Sequence, residues 1–206
     1  MRSRLVATFA ILALALSACT APTKQYISAS GFGMYFALPK DWSEIPVAQL
    51  RTAESGWSDD AGQVFQQSVQ WQGSWTAGAV NANAVFAAKP PARPVAFAFV
   101  RDLISVEQQG LGGGIATALQ DVVIPASTLT SDELTTKTVV HGNVRGILQT
   151  ATYVTGGARQ TIMVESVLAA GKNRVYVVFV RCTAKCFSTN MRSINEIFAS
   201  LTFKEQ

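Results

Sequence analysis

Val175-Tyr176-Val177-Val178-Phe179-Val180 places six apolar residues in a row, four of them valine. A run this short and this apolar belongs to a strand covered on both faces, so it predicts the centre of a sheet between two layers. Ala170-Gly171-Lys172-Asn173 before it reads as a turn, as do Thr155-Gly156-Gly157 and His141-Gly142-Asn143 further upstream. Between these turns, residues 137–140, 144–154 and 159–168 read as strands, with Ile162, Val164 and Leu168 on one face of the last. Connections this short join antiparallel neighbours, so the stretch is a meander.

Downstream, Met191, Ile194, Ile197, Phe198 and Leu201 fall on one helical stripe, with Arg192, Asn195 and Glu196 off it. Ser188 or Thr189 can cap that helix, which should pack across the meander. Leu201-Thr202-Phe203 then runs extended. The expected class is α+β: an antiparallel sheet with flanking helices.

Upstream, a glycine-punctuated turn over residues 30–33 separates two extended runs. The second, Met34-Tyr35-Phe36-Ala37-Leu38, ends at Pro39, which cannot donate to a ladder. Trp42 follows as a core plug. Residues 46–53 suit a short helix with Pro46 in its first turn. Ser58-Asp59-Asp60 would cap another, running through Val64, Phe65, Val69 and Trp71. Trp57, Trp71 and Trp75 make this the aromatic zone, with two readings: a buried core, the commoner use, or an apolar binding groove. Residues 84–88 read as an edge strand. Lys89-Pro90-Pro91-Ala92-Arg93-Pro94 reads as an exposed connector, and residues 95–100 as a strand.

A helix from Ser105 reaches Gly110-Leu111-Gly112-Gly113-Gly114. A phosphate loop needs Lys and Ser/Thr after its last glycine, and Ile115-Ala116-Thr117 stand there instead. The dinucleotide spacing is absent too, so the cluster reads as a hinge or packing site. Residues 115–122 resume a short helix that Pro125 ends.

The N-terminus has Arg2 and Arg4, an apolar run over residues 5–16, and then Leu16-Ser17-Ala18-Cys19. This is the layout of a secretory signal. Twelve helical residues reach only about 18 Å against a hydrocarbon core of about 30 Å, which disfavours a membrane span. The last four residues resemble a bacterial lipobox. That resemblance implies lipidation of Cys19, cleavage before it, and anchoring at the extracytoplasmic face of a cell membrane. The organisation expected is a signal over residues 1–18, a lipidated tether over 19–25 and one domain over 26–206.

Loss of residues 1–18 reduces Lys+Arg from 17 to 15 against 13 Asp+Glu, a net charge of +2 rather than +4. No Lys/Arg cluster is interleaved with aromatics, so nucleic acid is not an expected partner. With Cys19 in the anchor, Cys182 and Cys186 remain. An exported even pair favours a disulfide, the alternative being two reduced, buried thiols. Its loop would be very small and its entropic contribution correspondingly modest. The three-residue spacing does not suit redox chemistry, and His141 is the only histidine, which argues against zinc. No metal or other cofactor is expected.

The meander, the helix carrying Ile194 and Ile197, and the terminal Leu201-Thr202-Phe203 resemble the PsbP-like fold. Phe36-Ala37-Leu38-Pro39-Lys40-Asp41-Trp42 is similar to that group's opening strand, proline and tryptophan. Actinobacterial lipoproteins of the LpqN type are similar overall. The resemblance covers residues 26–42 and 137–203. It implies an α/β/α sandwich around an antiparallel sheet, used mostly for binding or assembly, with no catalytic residues to carry over.

The leading expectation is therefore a non-enzymatic, lipid-anchored envelope module whose partner is a protein, a cell-wall component or a lipid. One alternative is a hydrolase built on His141 with an Asp and a Ser. No Gly-x-Ser-x-Gly elbow accompanies it, and His141 reads as an exposed turn residue. Another is a structural subunit of an envelope complex.

Overall fold

β9 (Arg174–Thr183), which contains the apolar run, is the fourth of seven strands in an antiparallel sheet. The computed structural model describes residues 22–29, 31–110 and 134–204. Cys19, the signal, Gly112–Gly114 and the expected helix over residues 115–122 lie outside them. The sheet runs β3 (Ser43–Ile45), β4 (Val69–Thr76), β5 (Val95–Asp102), β9, β8 (Ala158–Leu168), β7 (Val144–Thr155) and β6 (Leu134–His141). β6 to β9 form the expected meander.

Both faces of the sheet are covered. Alternate residues of β9 point opposite ways, so Tyr176, Val178, Val180 and Cys182 join one core while Val175, Val177 and Phe179 join another. A three-stranded sheet, β1 (Lys24–Ala29), β2 (Met34–Pro39) and β10 (Thr202–Phe203), shares the first core with the long C-terminal helix. Trp42 and Trp75 lie in that core at 6% and 3% exposure. The second core lies under three short helices, α1 (Val47–Glu54), α2 (Asp60–Ser68) and α3 (Asn83–Phe86). α4 (Ser105–Gly110) follows β5. The C-terminal helix is α5 (Ala184–Ala199).

Several elements differ from expectation. α2 stops at Ser68, and Val69 and Trp71 belong to β4, which pairs with β5 across a bulge. The Val64, Phe65, Val69 spacing suits a helix, but ladder pairing outweighs it. Residues expected as an edge strand form the single turn of α3, where Asn81 Oδ1 accepts the Ala84 N–H at 3.2 Å. The proline connector has no regular structure, yet Pro90, Pro91 and Pro94 are buried. Its carbonyls serve the sheet: Pro91 O accepts from Thr183 N at 2.9 Å and Pro94 O from Ala77 N at 3.2 Å. α5 begins at Ala184, so Ser188 and Thr189 lie inside it rather than at its cap. Thr183 caps it, its Oγ1 accepting from Cys186 N at 3.3 Å.

The Cys182–Cys186 disulfide joins the end of β9 to the first turn of α5, with a Cα–Cα distance of 5.9 Å. Of the expected stripe, Ile194, Ile197, Phe198 and Leu201 are buried, while Met191 at its margin is 47% exposed. β10 closes the chain onto β2. Gly33 there has φ +73°, and its carbonyl accepts from Lys204 N at 2.8 Å.

Candidate ligand cavity

The loop between α1 and α2 begins the site. Trp57 N–H donates to Glu54 O at 2.9 Å, and Asp59 caps α2 through Gly62 N at 2.9 Å. Gly62 is required here: a Cβ would stand 2.6 Å from Trp57 Cβ. This fixes the indole of Trp57 against Phe86, centroids 4.8 Å apart and nearly perpendicular, and Phe65 at 5.6 Å. Edge-to-face contacts continue inward from Phe65 to Phe99 at 5.0 Å and from Phe86 to Phe97 at 5.2 Å. Phe97 then meets Phe179 at 5.4 Å. Such geometry suits the ring quadrupoles.

These rings wall a cavity of about 700 Å³ with Ile162 and Val85 beside them. That volume is within the range of small-molecule sites, which are concave, mostly apolar and equipped with few polar groups. The polar groups are Asp59, Ser58, Tyr153 and Arg181. Tyr153 Oη accepts from Gln160 Nε2 at 2.6 Å. Burial raises the Tyr153 pKa against the opposing charge of Arg181. Arg181 donates to Val85 O at 3.1 Å and Ala87 O at 2.6 Å, which ties α3 and its C-terminal end to the sheet.

The three tryptophans do not share one groove. Trp57 lines the cavity, whereas Trp71 and Trp75 lie on the opposite side of the sheet, centroids 6.4 Å apart, and Trp75 packs edge-on to Phe36 at 5.4 Å. Strand alternation explains the split: Trp71 and Trp75 are four residues apart on β4 and therefore face one way. The cavity's other main residues, Phe65, Phe86, Phe97, Phe99, Tyr153 and Arg181, were not legible as a site. The one signal for them is a charge, Arg181, at an inward-facing position of an apolar strand.

His141 is not an exposed turn residue. It ends β6, and its Nε2 is 2.5 Å from Oε1 of the buried Glu165, with Phe203 packed against the imidazole. Burial raises the Glu165 pKa, and His141 opposes that rise. Among the described residues no cluster of three or more His, Cys, Asp or Glu could hold a metal ion. No described helix is long and apolar enough to cross a membrane.

The sequence matches no protein-family model and no curated protein. Solved structures do match. LpqN of Mycobacterium tuberculosis, described as involved in cell envelope biogenesis, has a TM-score of 0.49 at 14% identity, covering 89% of this chain and 93% of that one. The cyanobacterial PsbP of Synechocystis sp. PCC 6803 has 0.49 at 8% identity, covering 91% and 96%. The Ran-binding protein Mog1p of Saccharomyces cerevisiae has 0.46 at 8%, covering 89% and 96%. The likeness is one of chain path alone, and at these identities it transfers no ligand, partner or activity.

Proposed function

We propose that the protein is a non-enzymatic binding module of the cell envelope, held at the extracytoplasmic face by lipid on Cys19, and that it takes an apolar ligand into the aromatic cavity. The observation that carries this reading is the cavity itself. Seven aromatic side chains line a half-open cleft of about 700 Å³. The cleft opens to solvent, with Trp57, Phe65 and Phe86 partly exposed at its edge, and a concave, largely aromatic surface of this kind suits an apolar ligand. The Leu16-Ser17-Ala18-Cys19 motif supports the address.

Two measurements test the two halves. Mass spectrometry of the cell-purified protein should show an acylated Cys19 at the amino terminus, and a product beginning elsewhere refutes the anchor. For the cavity, the chain from residue 19 onward carrying Cys19→Ala keeps every described element. It should bind the neutral dye N-phenyl-1-naphthylamine saturably. Trp57→Ala should weaken binding several-fold, and Trp71→Ala, on the far side of the sheet, should leave it unchanged. Absence of saturable binding, or equal loss in both variants, refutes the cavity reading.

A further inference from the structure

Arg181 is 8% exposed, and among the described residues it pairs with no carboxylate. Its partners are three backbone carbonyls, Val85 O, Ala87 O and, at 3.4 Å, Lys89 O. They occupy at most three of the five guanidinium N–H groups, and Nε has no partner among the described residues. The same fold treats its other buried arginine differently. Arg101, 6% exposed, is held bidentately by Glu107 at 2.8 and 2.6 Å. A buried cation without a counter-ion is costly, and burial pulls the Arg181 pKa down.

Arg181 borders the cavity, and so does Tyr153, whose hydroxyl accepts from Gln160 and keeps its own proton to donate. The other charged group in the lining, Asp59, is committed to the N-terminus of α2 through Gly62. The lining thus holds one cation and one anion, Arg181 and Asp59, among its aromatic side chains. Carbonyls supply hydrogen bonds to the guanidinium without cancelling its charge, and a ligand anion would do both.

Resting on the cavity reading above, we infer that the ligand is an amphipathic organic acid, its carboxylate held by Arg181 and Tyr153 and its apolar body lying among the phenylalanine rings. An uncharged apolar ligand would fill the same space and leave the arginine without a counter-ion.

The test is displacement of N-phenyl-1-naphthylamine by laurate and by its neutral counterpart dodecanol, on the Cys19→Ala chain from residue 19. Laurate should displace the dye at a concentration at least tenfold lower than dodecanol. Arg181→Met should bring that ratio to about one. Tyr153→Phe, which keeps the ring, should reduce the ratio two- to fivefold, and it decides the matter if Arg181→Met fails to fold. Equal displacement by the two competitors in the parent chain overturns the inference, as does an unchanged ratio in a folded Arg181→Met or, failing that, in Tyr153→Phe. In either case the cavity reading survives. A parent chain that binds no dye overturns both.

Discussion

Reduction of the Cys182–Cys186 bridge isolates the contribution of a very short covalent loop. The cysteines are four apart in sequence, so the closed loop holds five residues. The loop-closure relation then gives about 2 kcal/mol of stabilisation at 25 °C, near the lower end of the usual range. For a chain of this size, 1 kcal/mol moves the melting temperature by about 2–4 °C, so reduction should lower it by about 4–8 °C. The assay is differential scanning calorimetry with and without dithiothreitol, on the parent chain and on Cys182→Ala/Cys186→Ala. Both sulfurs sit in the core beside Phe187, with Cys182 fully buried. The double variant should therefore melt lower still, by roughly the cost of two small cavities. A fall under about 1 °C on reduction would refute the loop-closure argument. A fall above about 15 °C would do the same, since it would mean that the bridge holds a junction that capping by Thr183 cannot hold alone.

Two glutamates should respond to pH with opposite signs. Glu54 is 1% exposed, its carboxylate oxygens have no hydrogen-bond partner among the described residues, and burial raises its pKa despite the charge of Arg51. The fold thus prefers the protonated form, and the associated stability is full below the ordinary carboxylate pKa and lost as pH rises through the raised value. Glu54→Gln should match the parent chain in urea midpoint near pH 4 and exceed it at pH 7; a variant less stable at pH 7 refutes this. For Glu107, burial pushes the pKa up, but hydrogen bonds from Arg101 and Ile104 N and the charge of Arg101 bring it below the ordinary value. Its stabilisation is present above the ordinary carboxylate pKa and lost as pH falls through the lowered one. Glu107→Gln should therefore destabilise at pH 7 and lose that effect in acid, read by the same urea series. Gly33→Ala should cost several kcal/mol in chemical denaturation, because a Cβ there would stand 1.9 Å from Lys204 O at a positive φ. A cost below about 1 kcal/mol would show that β10 gives way freely.

How much was legible depends on how local each signal is. The centre of the sheet was, since the Val175–Val180 run needs no partner to be recognised. α5 was legible through Ile194 and Ile197, but its start was not. Thr183 pairs with Gln160 as the last residue of β9 and also caps the helix, and sequence assigns a residue one role at a time. The end of α2 was hidden because Val69 and Trp71 suit either period, and only the ladder with Val100 and Arg101 decides between them. The cavity was least visible. Arg181 meets its carbonyl partners 92 to 96 residues away in sequence. The Trp57 ring meets Phe86 only because α1, α2 and α3 are laid over one face of the sheet.

The two-sided sheet also bears on how the protein could be altered. On β9, Phe179 and Arg181 serve the cavity, while Val178 and Val180, which alternate with them, serve the core under α5. Because the backbone ladder stands between the two sets, side chains on the cavity side can be exchanged without repacking the other core. Such exchanges would act on the cavity and the second core to which its phenylalanines belong, and leave the core under α5 as it is.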